Sequence, residues 1–377
     1  MIKVLQVVGR MHYGGMETFI MNIYRHINRN KVQFDFMVHY DEPGGYDEEI
    51  RSLGGHIYTM PRTVPQNYFQ YKRELTKFFQ QHKEYYMIHG HLHSTAFLYH
   101  KIAKQNGDRC CITHSHNDGF DHSAKGYLSY GTSLLAQKYT DIYFGCSQAA
   151  CHKFFPGAIK QGKKMIIVKN GIESERYRYD LHVRDDVRVE LGLGNRFVVG
   201  HIGRFFPQKN HDKLLKIFVE ILKQRPDSIL ILVGEGPLFD QVKKMTQKMG
   251  IEESVLFLGV RSDVNRLMQA MDAFIFPSLY EGLGIVLIEA QAAGLKCFTS
   301  ADVVPQEAKV TELLHYINLN EPASVWAEEV LAGFPYYRED QHQKILDSGY
   351  DIDQTAKWLE QFYLNHSINP EAKEITV

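Results

Sequence analysis

Long apolar runs, cysteine pairs and tryptophan are scarce in this 377-residue chain. No stretch approaches the roughly 18–20 apolar residues that a membrane span needs. The 5 cysteines (Cys110, Cys111, Cys146, Cys151, Cys297) include no C-x-x-C pair, and their number is odd. The N-terminal run Met1-Ile-Lys-Val-Leu-Gln-Val-Val lacks a basic n-region and a small-residue cleavage site, so no signal peptide is expected. Odd cysteines without a secretory signal read as reduced thiols in a cytoplasmic protein. Internal repeats at solenoid periods and low-complexity tracts are also missing, which argues against a solenoid.

The remaining composition is 44% hydrophobic and 23% charged, ordinary for a soluble globular protein, and the length suggests two domains. A net charge of −1 hides an asymmetry. Of the 43 Lys+Arg and 44 Asp+Glu, residues 1–172 hold 21 and 13, a balance of +8, and the rest of the chain balances at −9. A basic half suits an anionic membrane surface or a phosphorylated acceptor, or is a scatter of solvated charges. No nucleic-acid partner is expected.

Short apolar runs alternate with amphipathic segments, the pattern of parallel doubly wound sheets. Strands are expected at 3–8, 34–39, 56–60, 87–89, 110–113, 142–145 and 165–168, with helices such as 16–26 and 128–139 between them. The pattern breaks near Asn170-Gly171-Ile172, and a linker is expected through Glu190. A second array places strands at 197–202, 229–233, 255–258, 273–276 and 296–299. Its helices fall at 212–223, 238–249, 263–270 and 285–293. Beyond residue 300 only 322–331 and 355–364 read as helices. The expected domains are therefore 1–175 and 190–352, with a final helix over 353–377 crossing back to the first.

Pro277-Ser-Leu-Tyr-Glu281-Gly282-Leu283-Gly284-Ile-Val-Leu-Ile-Glu289-Ala is the stretch richest in chemistry. It reads as the end of a strand, a turn led by glycines and the start of a helix. Glycine lets a ligand approach the backbone, and a helix start favours an anion. Glu281 and Glu289 stand at the two ends and can grip hydroxyls on two parts of one elongated ligand; read plainly, they are a loop carboxylate and a surface helix charge. Gly203-Arg204-Phe-Phe-Pro-Gln-Lys209-Asn210 follows the first strand of the second array. A strand end opening onto a loop is where doubly wound sheets place ligands. Arg204 offers a planar fork of donors and Lys209 a point charge, enough to neutralise a diphosphate. Gly234-Glu-Gly236-Pro closes the next strand, and Val260-Arg261 the third.

These motifs resemble those of retaining glycosyltransferases of the family 4 (glycosyl transferases group 1) type. The resemblance covers nearly the whole chain and is strongest over residues 197–300. It implies the GT-B fold, two Rossmann-like domains facing across a cleft. It also implies donor binding by Gly203, Gly234, Gly236, Arg261, Gly282, Leu283, Gly284 and Glu289, with Arg204, Lys209 and Glu281 at the reaction centre. In the first half, Gly14-Gly15-Met16-Glu17 is similar to the family's Gly-Gly-x-Glu loop over the donor phosphate, although Glu17 also suits a helix dipole. Asn170-Gly-Ile resembles the turn ending the first domain, with Glu173 in place of the usual Asp.

Histidines cluster at 89, 91, 93, 114 and 116. The run His89-Gly-His91-Leu-His93 invites a metal reading, opposed by the lack of Asp or Cys at useful spacing. Thr113-His114-Ser-His116-Asn-Asp118 ends a strand, where the resemblance puts a histidine at the donor sugar: His116 first and His114 second, each otherwise a satisfied core ring. Asp-x-Asp occurs once, at Asp351-Ile-Asp353, where it reads as a helix N-cap. No metal or other cofactor is therefore expected. At about 12 Å along a standard helix, Glu281 and Glu289 are too far apart for hydrolysis by a carboxylate pair.

The resemblance implies metal-independent, retaining transfer of a hexose from a nucleotide sugar, UDP-linked in the expected case. The acceptor is expected to be a lipid-linked saccharide or an oligosaccharide. The tail around Asp302–Glu307, Trp326 and Trp358 is similar to enzymes of exopolysaccharide or capsule assembly, which implies work at the inner membrane face. Lys153-Phe154-Phe155 through Lys163-Lys164 is the segment expected to dock there. Two alternatives stay open: a UDP-sugar 2-epimerase of the same fold, and a non-catalytic nucleotide-sugar-binding protein.

Overall fold

A computed structural model describes residues 1–62, 64–116 and 123–368. Asn117, Asp118 and the last nine residues of the expected final helix lie outside them. The chain forms two compact units. Unit 1 takes Met1–Gly171 and the helix Ile352–Ile368, and unit 2 takes Ile172–Asp351.

Unit 1 contains seven parallel strands: β1 Ile2–Val7, β2 Val32–Val38, β3 Ile57–Thr59, β4 Met87–Gly90, β5 Cys110–Ser115, β6 Ile142–Gly145 and β7 Met165–Ile167. Their order is β3-β2-β1-β4-β5-β6-β7. Strands covered by helices on both faces are buried on both: every residue of β2 is inside, and its Gln33 and Asp35, like Gln6 of β1, are polar exceptions among apolar neighbours. The order reverses at β1 and β4, so their C-terminal ends diverge into a crevice. Helix Gly15–His26 leaves β1, and helix Ile352–Ile368 packs beside it through Ile352, Ala356, Leu359, Phe362 and Tyr363.

Unit 2 contains six parallel strands: β8 Val198–Ile202, β9 Ile229–Val233, β10 Val255–Phe257, β11 Ala273–Phe276, β12 Lys296–Ser300 and β13 Leu314–Ile317. The order β10-β9-β8-β11-β12-β13 reverses at β8 and β11. The loops after these two strands are 203–210 and 277–284, the stretches that carry the charged motifs.

Three elements depart from expectation: the short helix His342–Asp347, an edge strand and a helix in the expected linker. Edge strand β13 reads Leu-His-Tyr-Ile, and only its two outer residues are buried, so it has no apolar run to find. Residues 181–190, expected as linker, are a helix capped by Asp180, whose carboxylate accepts from the amides of His182 and Val183. Its inner face is held by arginines as much as by hydrocarbon. Arg184 and Arg188 donate to Asp272 and to carbonyls of residues 269–271, while Val187 is fully buried. An apolar period cannot reveal a helix that docks through guanidinium groups.

Candidate functional site

In unit 2 the two loops at the strand reversal lie against each other. The amide of Leu279 donates to the Gln208 carbonyl at 2.8 Å. Gln208 Nε2 donates to the Tyr280 carbonyl at 2.9 Å, and Asn210 Nδ2 to the Pro277 carbonyl at 3.0 Å. Asn210 itself turns left-handed at φ 53°, which ends the loop and starts helix His211–Gln224. This lacing brings together residues 72 positions apart: Lys209 Nζ donates to Glu281 Oε1 at 2.5 Å, with the ammonium 4.4 Å from the centre of the Phe276 ring. The side chains are only 15% and 7% exposed, so losing either partner strands a poorly hydrated charge. Arg204 stands differently. It is exposed, lies 4.5 Å over the Phe206 ring and makes no ion pair among the described residues. Its donors face solvent.

A hollow of about 540 Å³ opens beside Arg204, lined by Gly203, Gly234, Gly236 and Arg261 among others. Gly234 has φ 134°, and a Cβ there would meet the Gly203 carbonyl at 2.2 Å, so only glycine lets these strand ends close on each other. Arg261 does not reach into the hollow as a free cation. Its guanidinium is bidentate on Asp263, at 2.7 Å to each oxygen. Gly284 is left-handed at φ 74° and caps helix Ile285–Ala292; Gly282 is exposed and Leu283 half-buried. Glu289 rides on that helix. Burial raises its pKa to about 7, partly offset by a hydrogen bond from Tyr177. Spacing alone did not single out Tyr177, which follows the Asn-Gly-Ile turn. The single Asp-x-Asp stands at the start of helix Ile352–Ile368, and Asp351 is buried with Ser174 Oγ 2.5 Å from its carboxylate.

The crevice of unit 1 is a pocket of about 580 Å³, lined by Gly15, Glu17, His91, His116, Ser133 and Asn170 among others. Burial raises the pKa of Glu17. Asn170 Oδ1 is buried without a hydrogen-bond partner. Beneath lie the histidines. Alternate residues of a strand and its extension share a face, so His89 and His91 stack at 4.3 Å, joined by His114 of β5 and His116 just beyond it. Ligand nitrogens of His89, His91 and His114 fall within 4.8 Å of one another, a convergence that spacing argued against and parallel pairing of β4 with β5 creates. Five of the six nitrogens of these three rings hydrogen-bond to neighbours, as in His89 Nε2···His114 Nδ1 at 3.2 Å, and His114 Nε2 has no partner. Desolvation, reinforced by neighbouring rings, pushes the pKa values of His91, His114 and His116 well below the usual histidine value. Gln6 and Tyr363 complete this network. A glutamine amid the apolar residues of β1 is the one sequence signal that could have found it.

The proposed docking segment is corrected in part. Phe154 and Phe155 are 7% and 3% exposed and pack with Tyr143, Cys151 and Ala158, so they are unavailable to a membrane, whereas Lys163 and Lys164 are exposed. No helix among the described residues is long and apolar enough to cross a membrane.

Comparison with known proteins gives concordant findings. Residues 183–311 match the family described as glycosyl transferases group 1. The chain is 31% identical over 370 residues to the protein named glycosyltransferase EpsF of Bacillus subtilis (strain 168), covering 96% of each. It is 28% identical over 230 residues, 58% of each chain, to the UDP-Gal:alpha-D-GlcNAc-diphosphoundecaprenol alpha-1,3-galactosyltransferase of Escherichia coli. The crystal structure of HepE from Anabaena in complex with UDP superposes with a TM-score of 0.73 at 20% identity, covering 98% of this chain and 99% of that one. The fold they share is GT-B.

Proposed function

We propose a substrate and mechanism from one premise: this chain belongs to the glycosyl transferases group 1 family and is a glycosyltransferase. Its donor is a UDP-hexose, its acceptor a lipid-linked saccharide, and its product a growing exopolysaccharide or capsule chain. The observation that carries this reading is Arg204, an exposed guanidinium at the end of β8 beside the glycine-walled hollow. The Lys209–Glu281 pair is laced to the same loop. An arginine fork without an ion pair suits a diphosphate.

In this reading unit 2 holds the nucleotide. Arg204 and Lys209 neutralise the diphosphate, and amides at the start of helix Ile285–Ala292 add partial positive charge. Glu281 and Glu289 accept hydrogen bonds from sugar and ribose hydroxyls. The anomeric carbon–oxygen bond to phosphate breaks, UDP leaves, and the acceptor oxygen bonds to the same face of that carbon. The acceptor's proton passes to a leaving phosphate oxygen, so configuration is retained and no metal is needed. His116 accepts from a sugar hydroxyl in the unit 1 pocket. The basic surplus of residues 1–172, Lys163 and Lys164 included, draws the protein to an anionic membrane surface. The acceptor-side reading is favoured by the name of the galactosyltransferase relative.

The experiment is transfer from labelled UDP-glucose and UDP-galactose to undecaprenyl-diphosphate saccharides, in EDTA. Glycolipid product with the donor's anomeric configuration is expected, and none with Arg204→Ala. Conversion of the donor alone to its 2-epimer, or a strict requirement for added metal, overturns the reading.

A further inference from the structure

Two chains of hydrogen bonds under the unit 1 pocket start from one amide. Gln6 lies in β1 and is 1% exposed. Its Oε1 is 2.8 Å from His91 Nε2. A carbonyl oxygen only accepts, so His91 carries its proton on Nε2 and keeps a lone pair on Nδ1. That Nδ1 is 2.7 Å from His116 Nε2. The donor in this contact must therefore be His116, which holds its proton on Nε2 and leaves Nδ1 bare. His116 Nδ1 is buried with no hydrogen-bond partner.

The other end of the amide runs the opposite way. Gln6 donates to the Tyr363 hydroxyl. That hydroxyl is 2.7 Å from His89 Nδ1, and His89 Nε2 is 3.2 Å from His114 Nδ1. Each group donates onward, so this branch ends on a protonated His114 Nε2, also buried without a partner. One amide, with a donor end and an acceptor end, polarises two histidine pairs in opposite senses. His93 stands outside both branches, its Nε2 2.8 Å from the His114 carbonyl.

We propose that Gln6 and His91 are positioning residues that hold His116 as the Nε2-protonated tautomer, with Nδ1 kept as an acceptor for a sugar hydroxyl. The use of Nδ1 rests on the reading that His116 meets the sugar; the tautomer does not. Reversing the amide would reverse every bond in the branch and put a proton on His116 Nδ1, turning the acceptor into a donor. A buried glutamine is suited to this task because its two ends are distinct and neither ionises. Buried rings here differ in this respect: His39 spends both nitrogens locally, on the Val8 carbonyl and the Tyr71 hydroxyl, whereas His100 and His211 bury both without a partner, away from the pocket that His116 lines.

The test is a nitrogen-15 spectrum of the full chain with labelled histidines, recorded at about pH 6 to 8 where ordinary imidazole titrates. The expected result is an unprotonated His116 Nδ1 and a protonated Nε2 across that range. Gln6→Leu should give mixed His116 tautomers and lower kcat roughly ten- to hundredfold, with KM for the UDP-sugar little changed, since the sugar is still bound but less well oriented. Tyr363→Phe should leave the His116 signal unaltered, because only the His114 branch passes through it. A proton on His116 Nδ1, or an unchanged tautomer in Gln6→Leu, overturns the proposal. So does stoichiometric zinc in the purified protein, since zinc would claim the lone pairs of His91 and His114 that accept here. Should Gln6→Leu fail to fold, the spectrum of the unaltered protein still decides. If no glycosyl transfer is found, the tautomer result stands by itself, so the two readings fail separately.

Discussion

The two units place their polar groups in opposite environments. In unit 2 the charged motif residues sit on loops beyond the strands: Arg204 is in water, and Lys209 and Glu281 pair under shallow cover. In unit 1 the network beneath the pocket is made of neutral rings and amides within and just beyond the strands, at Gln6, His89, His91 and His114. A fixed charge near solvent suits an anion that arrives with its own charge. A buried neutral network suits the orientation of hydroxyls, because it keeps donor and acceptor roles distinct without paying to desolvate ions.

The sharpest way to break this contrast is at Arg204. Arg204→Ala should lower kcat/KM by about 100- to 1,000-fold, as loss of a preorganised donor at developing charge does, with thermal stability unchanged because the side chain is exposed. An intact rate would remove unit 2 from the chemistry. Next in size is Lys209→Ala, expected to destabilise the protein by about 3 kcal/mol because it leaves Glu281 unpaired under cover. The double variant with Glu281→Ala should recover part of that loss in chemical denaturation, and simple additivity would show that the pair is not coupled.

Glu289 sharpens the comparison through pH. Its pKa is raised by burial to about 7, so the fold favours its protonated form. That contribution is complete below the ordinary carboxylate value and is lost as pH rises through about 7. Relative to Glu289→Gln, wild-type stability should therefore fall by up to about 3 kcal/mol between pH 4.5 and 8. Parallel curves would show that Glu289 is ordinary. Unit 1 should behave oppositely: His91, His114 and His116 are held neutral, so none of them titrates near 6.5, and ring resonances moving there would contradict the buried network. The smallest effect calibrates the rest. Lys216→Ala breaks an exposed pair with Asp212 and should change stability by no more than about 0.5 kcal/mol.

The strands most readily read from residues alone were those buried on both faces, such as Ile229–Val233, where every residue is inside. Short edge strand β13 and the arginine-docked helix Leu181–Glu190 were not, since neither presents the periodicity that burial of hydrocarbon imposes. The charged loop motifs were legible because residues 203–210 and 277–289 are each contiguous. Arg261 was legible only in part: its position after β10 places it on the wall of the hollow, but that its guanidinium pairs with Asp263 two residues on was not foreseen.

By itself the amino-acid order determined the alternation of buried strand and amphipathic helix, and the glycine turns and cations that follow particular strands, because these depend on residues near one another in the chain. Only the tertiary structure decided that Lys209 meets Glu281, that Tyr177 meets Glu289, and that Gln6, His91 and His116 form one line of hydrogen bonds. Those contacts join strands and loops distant in sequence. Which nitrogen carries a proton follows from what stands opposite it, and strand order and register set that.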